Sequence, residues 1–171
     1  MTEFIISDTH FDDNGNIILY ENRPFENWEK MTEALIKNWN SVVKLDDKVF
    51  HLGDVGMSSK EILSHIIPRL SGRLYLIKGN HDRKHSNKWY RDLGFTEIYE
   101  YPIIIDGYLI LSHEPVYLNH NTPYRNIHGH IHSVKMDSDL YFNASVECIN
   151  YTPITKEQII EKTKWYVDKE D

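Results

Sequence analysis

Cysteine is almost absent: Cys148 is the only one in 171 residues, so the chain can form no internal disulfide, and a reducing, cytoplasmic setting is the simplest expectation. Long apolar runs are missing too. No segment approaches the roughly 20 residues that a membrane-spanning helix needs, and Met1-Thr2-Glu3-Phe4 carries no basic leader. Positive charge is scarce, with 19 Lys and Arg against 26 Asp and Glu and a formal net charge of -7. That balance argues against a surface built to neutralise a nucleic-acid backbone. Repeats, linkers and low-complexity tracts are lacking, which leaves one domain spanning residues 1–171 as the economical reading.

A hydrophobic content of 40% with 12% aromatics is that of a folded chain with a core. Apolar runs at Phe4 to Ser7, Lys48 to Leu52 and Leu74 to Ile77 predict buried strands. Between them, Trp28, Met31, Leu35, Ile36 and Trp39 recur at helical spacing and predict a helix from about Glu26 to Asn40. Ser58 and Glu61 stand in capping-box spacing ahead of a second helix that should stop near Pro68 or Gly72. A short helix is expected over Asn87 to Leu93, and Asp106-Gly107 marks a hairpin between Ile103 to Ile105 and Leu109 to Leu111. A strand from Leu140 to Glu147 and a helix capped by Thr155 and Gln158, running to about Val167, complete the pattern. Strands alternating with helices and then mostly strands indicate an α/β fold with two packed mixed β-sheets flanked by helices.

Chemistry-bearing residues punctuate these elements in a fixed order: Asp8-Thr9-His10, Gly53-Asp54, Gly79-Asn80-His81-Asp82, His113, and Gly129-His130-Ile131-His132. Any one of these blocks is common by chance, since a lone Asp or His is usually a cap, a turn or a solvated residue. The series is not. Most blocks fall just beyond a strand end, where α/β folds gather ligands. Carboxylate, imidazole and Asn amide oxygen together suit two divalent ions of borderline hardness such as Mn, Fe, Zn, Ni or Co. Asp54, following a glycine that permits close approach, is the candidate bridge between them.

The five blocks resemble the calcineurin-like metallophosphoesterases, and the resemblance covers nearly the whole chain. Arg23-Pro24-Phe25, Ala34 to Asn40, His51 to Asp54, His128 to His132 and Asn143 to Glu147 are similar to small single-domain bacterial and phage members of that superfamily. The resemblance implies one ion held by Asp8, His10, Asp54 and His132, and a second by Asp54, Asn80, His113 and His130. It also implies attack by a hydroxide between the ions, which metal coordination makes available near neutral pH. His81 would protonate the leaving oxygen or steady the phosphate, with Asp82 orienting its ring. Asp12-Asp13 departs from the Gly-His usual in these relatives, a change that bears on substrate choice.

Other residues carry two readings each. Arg83 reaches a phosphate oxygen, as Asn80 would, or makes an ordinary surface ion pair. Tyr117 and Tyr124 form an aromatic wall or pack their own loop. His128 backs the last block or is a packed strand histidine, while Asn143 and Glu147 support the metal loops without being ligands. His51, His65, His85 and His120 are expected to be structural or exposed. The implied function is metal-dependent hydrolysis of small phosphodiesters such as cyclic nucleotides, of phosphomonoesters, or of both, in an open cleft without a cap domain. A nuclease and a catalytically weak metal-binding scaffold are the alternatives.

Overall fold

The computed structural model describes residues 1–13, 15–57 and 59–165. Its first sheet is built around three buried apolar runs, β1 (Glu3–Ile6), β2 (Lys48–His51) and β3 (Arg73–Ile77). They pair in parallel, with Ile6 opposite His51 and His51 opposite Leu76, and so end at one level. β4 (Glu97–Tyr99) extends the sheet in parallel beyond β3, and β9 (Ile154–Thr155) runs antiparallel on β1, giving the order β4-β3-β2-β1-β9. The second sheet has the order β5-β6-β7-β8, from β5 (Ile103–Ile105), β6 (Leu109–Leu111), β7 (Arg125–His128) and β8 (Tyr141–Asn143). Asp106 and Gly107 both take positive φ, 51° and 77°, as the tight β5-β6 hairpin requires.

The sheets meet at the site. Beyond β1 the amide of Ser7 donates to Ala144 at 2.9 Å, and Val146 returns a bond to Ser7 at 3.1 Å. The strand expected over Leu140 to Glu147 therefore stops at Asn143, and the chain turns to pair briefly with the first sheet, swinging Ser145 and Glu147 toward the end of β1.

α1 (Asn16–Tyr20) is a five-residue helix. Asn27 caps α2 (Trp28–Val42), which buries Met31, Leu35, Ile36 and Trp39 as its spacing predicts. Ser58 lies outside the described residues; Ser59 caps α3 (Lys60–Ile66), accepting from the Ile62 amide, and a 3₁₀ turn (Ile67–Arg69) follows. α4 (Asn87–Leu93) ends at Gly94 in left-handed conformation. α5 (Lys156–Thr163) opens on a reciprocal capping box of Thr155 and Gln158. The expected extension of α5 to Val167 lies outside the described residues. One continuous core joins α2, α3 and both sheets. Among the described residues no helix is long and apolar enough to cross a membrane.

Candidate metal centre

Each block occupies the loop after a strand: Asp8 and His10 after β1, Asp54 after β2, Asn80 after β3, His113 after β6, His130 and His132 after β7. Five of these residues, Asp8, His10, Asp54, His130 and His132, have left-handed backbone, with φ of 60°, 49°, 55°, 70° and 47°. Such a conformation costs a non-glycine residue of order 1–3 kcal/mol and persists only where the surroundings over-determine it.

Here they do. The amides of Asp8, His10 and Phe11 bond to the carbonyls of Gly53, Asp54 and Val55 at 3.0, 3.1 and 3.0 Å, zipping the first two loops together. His51 reinforces the zip: its Nδ1 accepts from the Gly53 amide at 3.2 Å, so its Nε2 carries the hydrogen and donates to Thr9 Oγ1 at 2.9 Å. Thr9 in turn donates to the Val55 carbonyl. Glycine is needed where the loops touch, since a side chain at Gly129 would collide with Ser7 and the Asp8 carboxylate.

The second set converges on one atom. His113 Nδ1 lies 2.8 Å from the Leu52 carbonyl, which can only accept, so Nδ1 bears the hydrogen and Nε2 presents a lone pair. Around that lone pair stand Asn80 Oδ1 at 2.9 Å, His130 Nδ1 at 3.1 Å and Asp54 Oδ2 at 3.5 Å. The oxygens of Asn80 and Asp54 can only accept, so at this spacing they repel that lone pair in the absence of a cation, whichever nitrogen of His130 carries its hydrogen. Donors about 2.0–2.2 Å from a common divalent ion adopt such separations.

The first set is looser but has no exposed member. Asp8, His10 and His132 offer ligand atoms all within 4.8 Å of one another. Asp8 Oδ1 and both ring nitrogens of His10 are buried without a hydrogen-bond partner among the described residues, a costly arrangement that an ion would relieve. Both carboxylates are anchored by one oxygen. Asp8 Oδ2 accepts from the His130 amide and Ser145 Oγ, each at 2.9 Å, and Asp54 Oδ1 accepts from the His81 amide at 3.0 Å. Asp54 Oδ2 then sits 3.7 Å from His10 Nε2 and 3.5 Å from His113 Nε2, within reach of both sets. Asp8 also groups with Asp54 and His113, so both carboxylates lie along the seam.

Their electrostatics differ. Burial opposes ionisation of Asp8, but the imidazoles of His113, His132 and His10 outweigh it and bring its pKa to about 2. Burial, with Asp8 and Asp82 close by, raises Asp54 to about 6 despite His113. A divalent ion held here would favour the charged form of Asp54.

Asp82 departs from expectation. Rather than orienting the His81 ring, its Oδ2 accepts from the amides of Asp54 and Gly79 at 2.7 and 2.9 Å, and its Oδ1 from Val55 and Tyr90 Oη. The carboxylate is wholly buried and spent on bracing the loops of β2 and β3. His81 lies beside the seam, its Nε2 3.8 Å from Asp54 Oδ2 and its side chain 38% exposed. Arg83 pairs with exposed Glu114 at 2.7 Å. Tyr117 is 89% exposed and so does not pack its loop.

Asp12 and Asp13 are buried and anchor backbone, Asp13 with its Oδ2 3.9 Å from His10 Nδ1. Asp12 accepts from the amides of Met57 and Ser59, and Asp13 from that of Ile17. His128 is a fully buried strand histidine bonded to the Gly129 carbonyl. Asn143 donates to the carbonyls of His132 and Val134. Sequence reasoning gave no role to Arg23 or Ser145, although both stand in stretches that carry the resemblance. Arg23 bonds the carbonyls of Asp8 and Thr9, and Ser145 bonds Asp8 itself.

The chain is similar to known proteins along most of its length. The uncharacterized protein MJ1445 of Methanocaldococcus jannaschii is 37% identical over 168 residues, covering 92% of this chain and 89% of that one. The crystal structure of AQ665 from Aquifex aeolicus, a protein of unknown function, matches with a TM-score of 0.74 at 28% identity, over 94% of this chain and 98% of that one. The model of the calcineurin-like phosphoesterase superfamily domain matches residues 1–150, taking in every block of the site, and the chain belongs to that superfamily.

Proposed function

We propose that the chain is a dinuclear-metal-dependent phosphoesterase that hydrolyses small phosphodiesters, cyclic nucleotides among them, and phosphomonoesters. The observation that carries this reading is the convergence of Asn80 Oδ1, His130 Nδ1 and Asp54 Oδ2 on the lone pair of His113 Nε2. Asp8, His10, Asp54 and His132 would hold one ion, and Asp54, Asn80, His113 and His130 the other. Two divalent ions bound there would lower the pKa of a coordinated water toward neutrality and would offset the negative charge on the phosphate oxygens.

The protein's own residues supply position and a proton. Asp54 is fixed through Oδ1 by the His81 amide, which holds the backbone of His81 against the carboxylate at the seam. His81, on the exposed side of that seam, donates a proton to the departing oxygen. Asn80 is exposed at the same mouth, where it can meet substrate. The net charge of -7 favours a small phosphorylated substrate over a nucleic-acid strand.

A panel of p-nitrophenyl phosphate, bis-p-nitrophenyl phosphate, 2',3'- and 3',5'-cyclic nucleotides and single-stranded DNA tests the proposal, with chelator and with Mn, Ni or Zn restored. Metal-dependent turnover of the small esters is expected, with the diester favoured. Cleavage of DNA in preference to them would replace it with the nuclease reading, and metal binding without turnover would leave the scaffold.

A further inference from the structure

We infer that Glu147, clamped by Arg23, is a positioning residue that fixes the His132 ring and thereby sets the affinity of one ion, that of Asp8, His10, Asp54 and His132, without touching the other. The inference rests on the dinuclear reading above.

Arg23 is fully buried as a side chain and Glu147 is 7% exposed. One carboxylate oxygen, Glu147 Oε1, receives Arg23 Nε at 2.8 Å and Nη2 at 2.6 Å, and lies 3.2 Å from His132 Nδ1. Arg23 also donates through Nη2 to the Asp8 carbonyl at 2.7 Å and through Nη1 to the Thr9 carbonyl at 3.1 Å. A single guanidinium thus joins the loop that carries Asp8 and His10 to the carboxylate behind His132. Lysine could not replace it, because one ammonium cannot span two carbonyls and a carboxylate in a fixed fork.

The chemical consequence follows from the acceptor. A carboxylate cannot donate, so it places the hydrogen of His132 on Nδ1, leaves Nε2 as the ligating lone pair, and makes that lone pair more basic. In the other set, His113 donates its Nδ1 hydrogen instead to a neutral carbonyl, that of Leu52. Removing the charge behind His132 should therefore weaken one binding step alone. Glu21, His132 and Glu147 also place ligand atoms within 4.8 Å of one another, so a third ion using Glu147 directly is the rival arrangement.

Equilibrium dialysis against Mn with metal analysis, together with calorimetric titration, separates the two. The proteins are wild type, Glu147→Gln, Arg23→Lys, Glu21→Gln, His132→Ala and His132→Ala with Glu147→Gln, each checked for folding by circular dichroism without metal. Two equivalents are expected in the wild type. Glu147→Gln should weaken one step about 10–100-fold and leave the second unchanged, as loss of such an outer partner typically does. Arg23→Lys should follow in part, Glu21→Gln should have no effect, and Glu147→Gln should add nothing once His132 is gone. Three equivalents in the wild type, equal weakening of both steps, a Glu21→Gln effect as large, or additive loss in the double variant would overturn the inference. A wild type that binds two ions while Glu147→Gln matches it would overturn the inference and leave the dinuclear reading standing. A wild type that binds none would remove both.

Discussion

The floor and the mouth of the metal centre are built on opposite terms. On the floor, Asp8, His10, Asp54 and His113 are at most 3% exposed, and the donors to Asp8 and Asp54 and the acceptor behind His113 come from segments far apart in the chain. At the mouth, Asn80 and Arg83 are exposed, and among the described residues Arg83 pairs with Glu114, whose side chain is also open to solvent. Buried polar groups must be satisfied and so specify one arrangement, whereas exposed ones trade partners with water at little cost. On the proposed reading the floor would carry the chemistry, and the mouth would set the substrate.

Substitutions on either side sharpen that contrast. The largest effect belongs to Asp54→Asn, which removes charge from the carboxylate in reach of both ligand sets. Metal-dependent turnover should fall at least about 10³-fold, because preorganised charge is usually the largest single contribution to catalysis. Metal analysis of the same protein should show less than the wild-type content.

His81→Asn comes next, with kcat falling about 10²–10⁴-fold and both ions retained. Loss of metal in that variant would move His81 from the mouth to the floor.

A smaller effect appears in stability. Burial holds the His51 pKa at about 3, against 6.5 for the free side chain. As pH falls below 6.5 the unfolded chain takes up a proton that the folded one refuses, so the contribution to stability is present above 6.5 and lost progressively down to about 3. At pH 5 the loss is about 2 kcal/mol. Chelated His51→Gln should show a shallower decline of Tm between pH 6.5 and 5 than chelated wild type, and parallel curves would remove His51 from this account.

The smallest effect belongs to the mouth. Arg83→Ala breaks an exposed ion pair worth about 0–1 kcal/mol. It should leave metal content and Tm unchanged and move KM for small esters by no more than a few-fold.

Floor and mouth were not equally legible beforehand. The strands ending at His51 and Ile77 and the helix carrying Met31, Leu35 and Trp39 announce themselves through local periodicity, and the blocks are contiguous motifs. β4, β9 and α1 are two to five residues long, too short for any period to register. The bracing of the floor is non-local. Arg23 and Glu147 are 124 positions apart, and Asp82 binds donors from three stretches of chain, so neither pairing leaves a trace in spacing. Asp82 differs from its sequence expectation for that reason: adjacency to His81 suggests a partner, while burial commits the carboxylate to the backbone.

The central claim is that the floor holds two ions and that hydrolysis depends on both. Its most direct test is a titration of chelated protein with Mn, following bound equivalents and bis-p-nitrophenyl phosphate hydrolysis in the same samples. Activity should be absent without metal, remain low through the first equivalent and rise with the second. Full activity in chelator, or two bound equivalents with no hydrolysis of any small phosphate ester, would contradict the account.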